Sequence, residues 1–190
     1  TDALQIERPE NSWLIQNCMR TGHKVGLTAG FKTGKTTLLG NVTRSLVDNV
    51  PLFDRFPVED MGGNVAIFDY ELTETDAFEM YERLGIHKTD RVFVESLRGR
   101  GFSLANDVHA ELAVNYLRQH DSAVWLLDTH ARAMAGFGSE NDNDDVGAFL
   151  RCVDQVAAEA GLLGVIISAH TGRFAAEVGS EHARGATKFD

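Results

Sequence analysis

Short apolar runs alternate with longer amphipathic stretches along nearly the whole chain. Residues 24–28 (KVGLT) predict a strand. A helix over residues 34–48 follows, with Leu38, Leu39, Val42, Leu46 and Val47 on one face. After a proline-containing connection, residues 65–69 predict a second strand. Thr73, with Asp76 three residues on, predicts a capping-box variant opening a helix that ends near Gly85. Residues 91–94 predict a third strand, 107–120 a helix and 123–127 a fourth strand. A glycine- and acid-rich loop, GFGSENDNDD, reads as solvated and leads into a helix over 146–160 closed by Gly161. Residues 163–168 predict the fifth strand.

This β-α-β-α order, with strands that are apolar throughout rather than alternating, predicts an α/β fold. Its mostly parallel central sheet should carry helices on both faces. One domain is expected over residues 1–190, with 1–22 as a lead-in and 171–190 as a tail. All strands of a parallel sheet end on the same edge, and ligands bind there. The residues just after the strands are Ala29 and Gly30, Tyr70 and Glu71, 95–98, 128–130 and 169–173. Nearly every chemically useful side chain falls in this set.

Composition narrows the partners. Eighteen Lys and Arg against twenty-eight Asp and Glu give a net charge of -10 over 190 residues. That balance argues against a broad basic face for a duplex, and leaves room for a narrow basic loop or channel built by several subunits. Cys18 and Cys152 match no metal or redox spacing and are expected to be reduced, mostly buried thiols. The opening TDALQIERPENSW lacks the apolar stretch of a signal peptide. VWLL and GLLGVII are too short to span a membrane. A cytoplasmic protein without membrane contact is expected.

The first strand runs into AGFKTGKTT and then a helix. The pattern G-x-x-x-x-G-K-[ST] is a loop whose backbone N–H groups wrap phosphates. Residues Ala29, Gly30, Phe31, Lys32, Thr33, Gly34, Lys35, Thr36 and Thr37 would form this cradle, with Ala29 standing where the first glycine is usual. Lys35 would reach the β- and γ-phosphates, and the Thr36 hydroxyl would coordinate Mg²⁺. The helix starting there aims its positive end at the anion. VWLLD ends an apolar strand at Asp128, a second Mg²⁺-holding group beside the loop. VAIFDYE places Glu71 on the same edge, free to orient water toward a γ-phosphate. Asp69 is open between capping the following turn and supporting Glu71. Arg98 and Arg100 also lie on this edge, open between ligand contact and balancing an acidic surface.

With these motifs placed, the chain resembles the RecA-like P-loop ATPases, and within them the RepA-like hexameric helicases found in actinobacteria and their phages. IFDYE resembles the strand end that supplies the catalytic glutamate of RecA relatives, and LLDTHAR resembles the Walker B segment of RepA. VIISAHTGR resembles the strand whose histidine senses the γ-phosphate, and ARGAT resembles a stretch carrying an arginine that reaches a neighbouring subunit's ATP. The likeness covers roughly residues 25–190. It implies Glu71 as catalytic base and Lys35 as the cation at the transferred phosphate, with Thr36 and Asp128 on Mg²⁺. His170 would be the sensor and Arg184 the arginine finger in trans, with Arg173 or Lys188 as lesser candidates. It further implies ATP as substrate, single-stranded DNA as partner, and a homo-oligomeric ring such as a hexamer. Two other readings remain at this point: an ATP-switched regulatory module with little turnover, and a nuclease gathering divalent metal on Asp69, Glu71 and Asp128.

Overall fold

The computed structural model describes residues 12–30 and 32–170. Five parallel strands make the central sheet: β3 (His23–Ala29), β4 (Asn64–Asp69), β5 (Val92–Ser96), β6 (Ser122–Asp128) and β7 (Gly164–His170). Their order across the sheet is β3-β7-β6-β4-β5. Helices α1 (Lys35–Asp48), α2 (Glu74–Arg83), α3 (Asp107–Gln119), α4 (His130–Ala133) and α5 (Asn143–Ala160) fill the connections. The expected α/β class and all five expected strands are present.

Alternate residues of each strand point to opposite faces, so the inner strands supply two cores. On one face Phe68, Trp125, Leu127 and Ile167 pack with Leu117 of α3 and Phe149 and Val153 of α5. On the other, Val65, Ile67, Val124 and Leu126 pack with Leu39, Leu46 and Val47 of α1 and Tyr81 of α2. Burial on both faces is why these strands read as unbroken apolar runs. Phe68 anchors the first core, meeting Phe102, Tyr116 and Trp125 edge-on at ring separations of 5.8, 5.4 and 5.3 Å. Phe68→Ala is expected to lower the unfolding free energy by about 3–5 kcal/mol, through lost transfer energy and a residual cavity. Urea unfolding followed by far-UV circular dichroism would measure it; a change below about 1 kcal/mol would contradict this account of the core.

Local chemistry sets the helix ends. Thr73 Oγ1 accepts the Asp76 N–H at 3.2 Å and donates to the Asp76 carboxylate at 2.6 Å, the cap expected from the sequence. Asn49 in the left-handed region ends α1, and Gly161 at φ 73 ends α5. The acidic loop differs from its reading. Asp142 accepts the N–H groups of Asp144 and Asp145, so α5 begins at Asn143, three residues before the expected start. Acidic side chains there cap free amides and complement the helix dipole.

The lead-in is also more than a linker. Two short strands, β1 (Trp13–Ile15) and β2 (Met19–Arg20), pair antiparallel and bury Leu14, Ile15 and Met19 against the α1 face of the sheet. Strands of three and two residues are too short to leave a periodic signal. Cys18, in the turn between them, is exposed rather than buried, because the hairpin sends its apolar side chains the other way; Cys152 is half-buried. No helix among the described residues is long and apolar enough to cross a membrane.

Candidate nucleotide site

Strand register brings the site together. On the carboxyl edge Ala29 pairs with His170, Asp69 with Asp128, and Asp69 with Ser96. A cleft of about 290 Å³ opens above this edge, lined by Gly30, Lys32, Gly34 to Thr37, Glu71 and His170. The loop from β3 into α1 is its floor. Thr33 Oγ1 donates to the Gly30 carbonyl at 2.8 Å, closing the turn. Gly34 adopts φ 89, a conformation glycine reaches without strain, and this lets the loop fold back over the helix start. No side chain caps α1, and its first backbone hydrogen bond runs from Leu38 N–H to the Gly34 carbonyl. The amides of the first turn are thus left for a ligand, and the positive end of a fourteen-residue helix lies behind them.

Lys35 is only 6% exposed. Its Nζ lies 3.2 and 3.3 Å from the two ring nitrogens of His170. Burial holds its pKa below the ordinary lysine value, and the Asp128 and Glu71 carboxylates partly offset that. Asp128, 3% exposed, is pushed up to about 6 by burial, against the opposing pull of the Ser168 hydroxyl and Lys35. The Ser168 hydroxyl donates to Asp128 Oδ1. Two opposite charges both disfavoured by burial mark a place arranged for something other than the stability of the ligand-free fold.

Glu71 reaches three groups. Its Oε1 accepts from Thr129 Oγ1 at 3.4 Å and stands 3.8 Å from His170 Nε2 and 3.9 Å from Arg132 Nε. Asp69 settles its open reading in both directions. Its Oδ1 accepts the N–H groups of Glu71 and Leu72, each at 2.8 Å, so it caps the turn and thereby fixes where Glu71 stands. Burial raises the Asp69 pKa, and those two N–H donors work against the rise. Ser96 Oγ donates to the Leu72 carbonyl at 2.8 Å, tying the same turn to β5.

Lys35, Thr36, Glu71 and His170 therefore share one cleft, and the buried Asp128 carboxylate lies behind it, near enough to act on the Lys35 charge. Arg184, Arg173, Lys188 and Phe31 lie outside the described residues. Arg100 pairs with Glu95 at 2.6 Å, whereas Arg98 is exposed. His130 is 2% exposed and packs edge-on against Phe149 in the core, so it takes no place in the cleft. Sequence reasoning missed Ser168, Thr129 and Arg132. The strand pairing that sets Ser168 beside Asp128 leaves no trace in composition, although all three residues stood inside motifs already singled out, VIISAHTGR and LLDTHAR.

The donor set suits a nucleotide with a hard cation. Free helix amides and a buried ammonium face the cleft, and a threonine hydroxyl and an aspartate offer oxygen ligands. Among the described residues no three His, Cys, Asp or Glu side chains gather closely enough to hold a metal by themselves. Asp69, Glu71 and Asp128 thus do not gather as the metal-holding trio of the nuclease reading, and a cation here would complete its shell with phosphate and water oxygens.

The fold and this cleft define a P-loop nucleotide-binding domain. The chain belongs to the AAA-domain family, whose sequence model matches residues 1–176. That membership makes it, in general terms, a P-loop ATPase. No curated protein matches the chain.

Proposed function

We propose that this domain is a Mg²⁺-dependent ATPase whose chemistry is carried by Lys35, Thr36, Glu71, Asp128 and His170, and that it works on DNA as a RepA-like helicase or loader. The observation that carries the reading is the convergence of Lys35, Glu71 and His170 around an uncapped helix start in one cleft. The amides of residues 34–37 hold the β- and γ-phosphates of ATP. The Lys35 ammonium sits where charge develops on the transferred phosphoryl group. Thr36 and Asp128 would hold Mg²⁺, which neutralises phosphate charge when bound. Glu71, fixed through Asp69, accepts a hydrogen bond from the attacking water and orients it in line. His170 touches both Lys35 and Glu71, so its position follows the state of the γ-phosphate. A single domain over residues 1–190, a homo-oligomeric ring and a trans-acting Arg184 complete the proposal. DNA contact would run through a local basic loop, since the chain as a whole is acidic.

One observation favours a quieter second reading, an ATP-switched module. Glu71 is engaged by Thr129, Arg132 and His170 together, a hold that would keep basal turnover low until something releases it.

Steady-state phosphate release from MgATP, with and without single-stranded DNA, tests both. Glu71→Gln keeps the shape and is expected to cut turnover at least 100-fold while ATP still binds. DNA-stimulated turnover that disappears in Glu71→Gln supports the motor. Tight ATP binding without phosphate release in the wild type would replace the motor by the switch.

A further inference from the structure

β7 lies between the two strands that serve the nucleotide cleft from either side: β3, which carries the phosphate loop, and β6, which ends at Asp128. Ser168 of β7 pairs with Leu27 of β3 across the ladder, and its hydroxyl donates to Asp128 Oδ1 on β6. His170, two residues on, shares that face of β7 and brings its ring to Lys35. One strand face thus engages both the carboxylate and the ammonium of the site.

Packing does not account for a hydroxyl at this position. Ser168 is wholly buried, and the three residues before it, Val165, Ile166 and Ile167, are buried and apolar. Thr43 and Ser96, also buried, spend their hydroxyls on the Leu39 and Leu72 carbonyls and so tie down backbone. Ser168 instead spends its hydroxyl on a carboxylate that is itself buried. A charge taken out of water costs free energy that one hydroxyl does not recover, so the pair does little for the ligand-free fold. What the bond does is fix the rotation of the carboxylate. With Oδ1 engaged, Oδ2 accepts no hydrogen bond among the described residues and keeps its acceptor capacity for a cation or for a water on one. Carboxylates that hold metals are ordinarily themselves held in this way.

We propose that Ser168 is a positioning residue for the cation of the nucleotide cleft: its hydroxyl holds the Asp128 carboxylate in the orientation that takes Mg²⁺ on a bound nucleotide, and so sets how far the cleft prefers the Mg²⁺ complex to the free nucleotide. The inference rests on the reading of Asp128 as a Mg²⁺-holding group.

The test is calorimetric binding of adenylyl imidodiphosphate, which is not hydrolysed, to the full chain, once with Mg²⁺ and once with EDTA. The metal's share of the affinity is then read apart from turnover. Ser168→Ala is expected to cut the gain that Mg²⁺ brings about tenfold or more, and to leave metal-free affinity within about twofold of wild type. Ser168→Cys, of the same shape with only a weak donor, takes its place should the alanine variant fail to fold. An undiminished gain, or an equal loss with metal and without, would overturn the role of Ser168 and leave the bond merely structural. Asp128→Asn keeps the two claims apart. If it leaves the gain intact, the reading of Asp128 fails and the inference goes with it. If it abolishes the gain while Ser168→Ala keeps it whole, Asp128 stands and Ser168 alone is overturned. Adding Ser168→Ala to Asp128→Asn should cost no further metal affinity, since the hydroxyl acts only through the carboxylate.

Discussion

Lys35→Ala is expected to lower phosphate release from MgATP about 10²- to 10³-fold, the scale associated with removing one preorganised charge from a developing oxyanion. The ammonium is 6% exposed and neighbours Asp128, Glu71 and the His170 ring, so nothing else in the cleft can supply its charge at that point. Lys32 is exposed and lies at the mouth of the same loop. The fold should survive the change. A lysine whose folded pKa is held below its unfolded value makes the protein less stable wherever the folded lysine is charged, and that liability shrinks as pH rises from the folded pKa toward 10.5. Alanine removes it at every pH. Single-turnover phosphate release beside thermal unfolding of both proteins makes the check. A variant within threefold of wild-type turnover would exclude Lys35 from the chemistry, and a collapse of the fold would contradict the electrostatic account.

Asp128→Asn should separate function from stability more sharply. The Asp128 carboxyl rises from 3.8 to about 6 in the folded chain. Between those values the folded state binds more protons than the unfolded one, so ligand-free stability falls as pH rises through the window. Above about pH 6 the whole penalty is present, on the order of 3 kcal/mol. Asparagine carries no charge, fills the same space and still accepts the Ser168 hydroxyl. The variant is expected to be about 1–3 kcal/mol more stable than wild type at pH 7.5 with chelator present, the gain vanishing near pH 4. Mg²⁺-dependent phosphate release should be lost. Urea unfolding at pH 4, 5, 6 and 7.5 measures the first part. A variant less stable than wild type at pH 7.5 would mean that the Asp128 charge supports the ligand-free fold.

Much of this was legible because the relevant signals are local. The loop from Gly30 to Thr37 is announced by spacing, and the apolar runs ending at Asp69 and Asp128 place their acids on one edge once the sheet is taken as parallel. Thr73 caps α2 through a side chain three residues from its partner, a contact within reach of sequence reasoning. What stayed hidden depends on register or on very short elements. Ser168 meets Asp128 because β6 and β7 pair Leu127 with Ile167, a fact about two strands forty residues apart. The hairpin of β1 and β2 buries Leu14 and Met19 with too few residues to show a period. The start of α5 was misplaced because a run of acids reads as solvated loop, whereas the same acids cap and charge a helix end.

The order of the strands sets a condition on when the site can exist. The strand that delivers the nucleotide loop, β3, lies at an edge of the sheet, and among the described residues its one neighbour in that sheet is β7, which pairs Val25 with Ile166. During synthesis the loop sequence emerges early, but the strand that holds it has nothing to align on until the chain has passed residue 164. A nascent chain of this domain therefore carries the phosphate motif long before it carries the phosphate site. Closing so distant a pair is slow compared with local folding. The seam between β3 and β7, which sets Ala29 beside His170, is thus one that only the late part of the chain can supply.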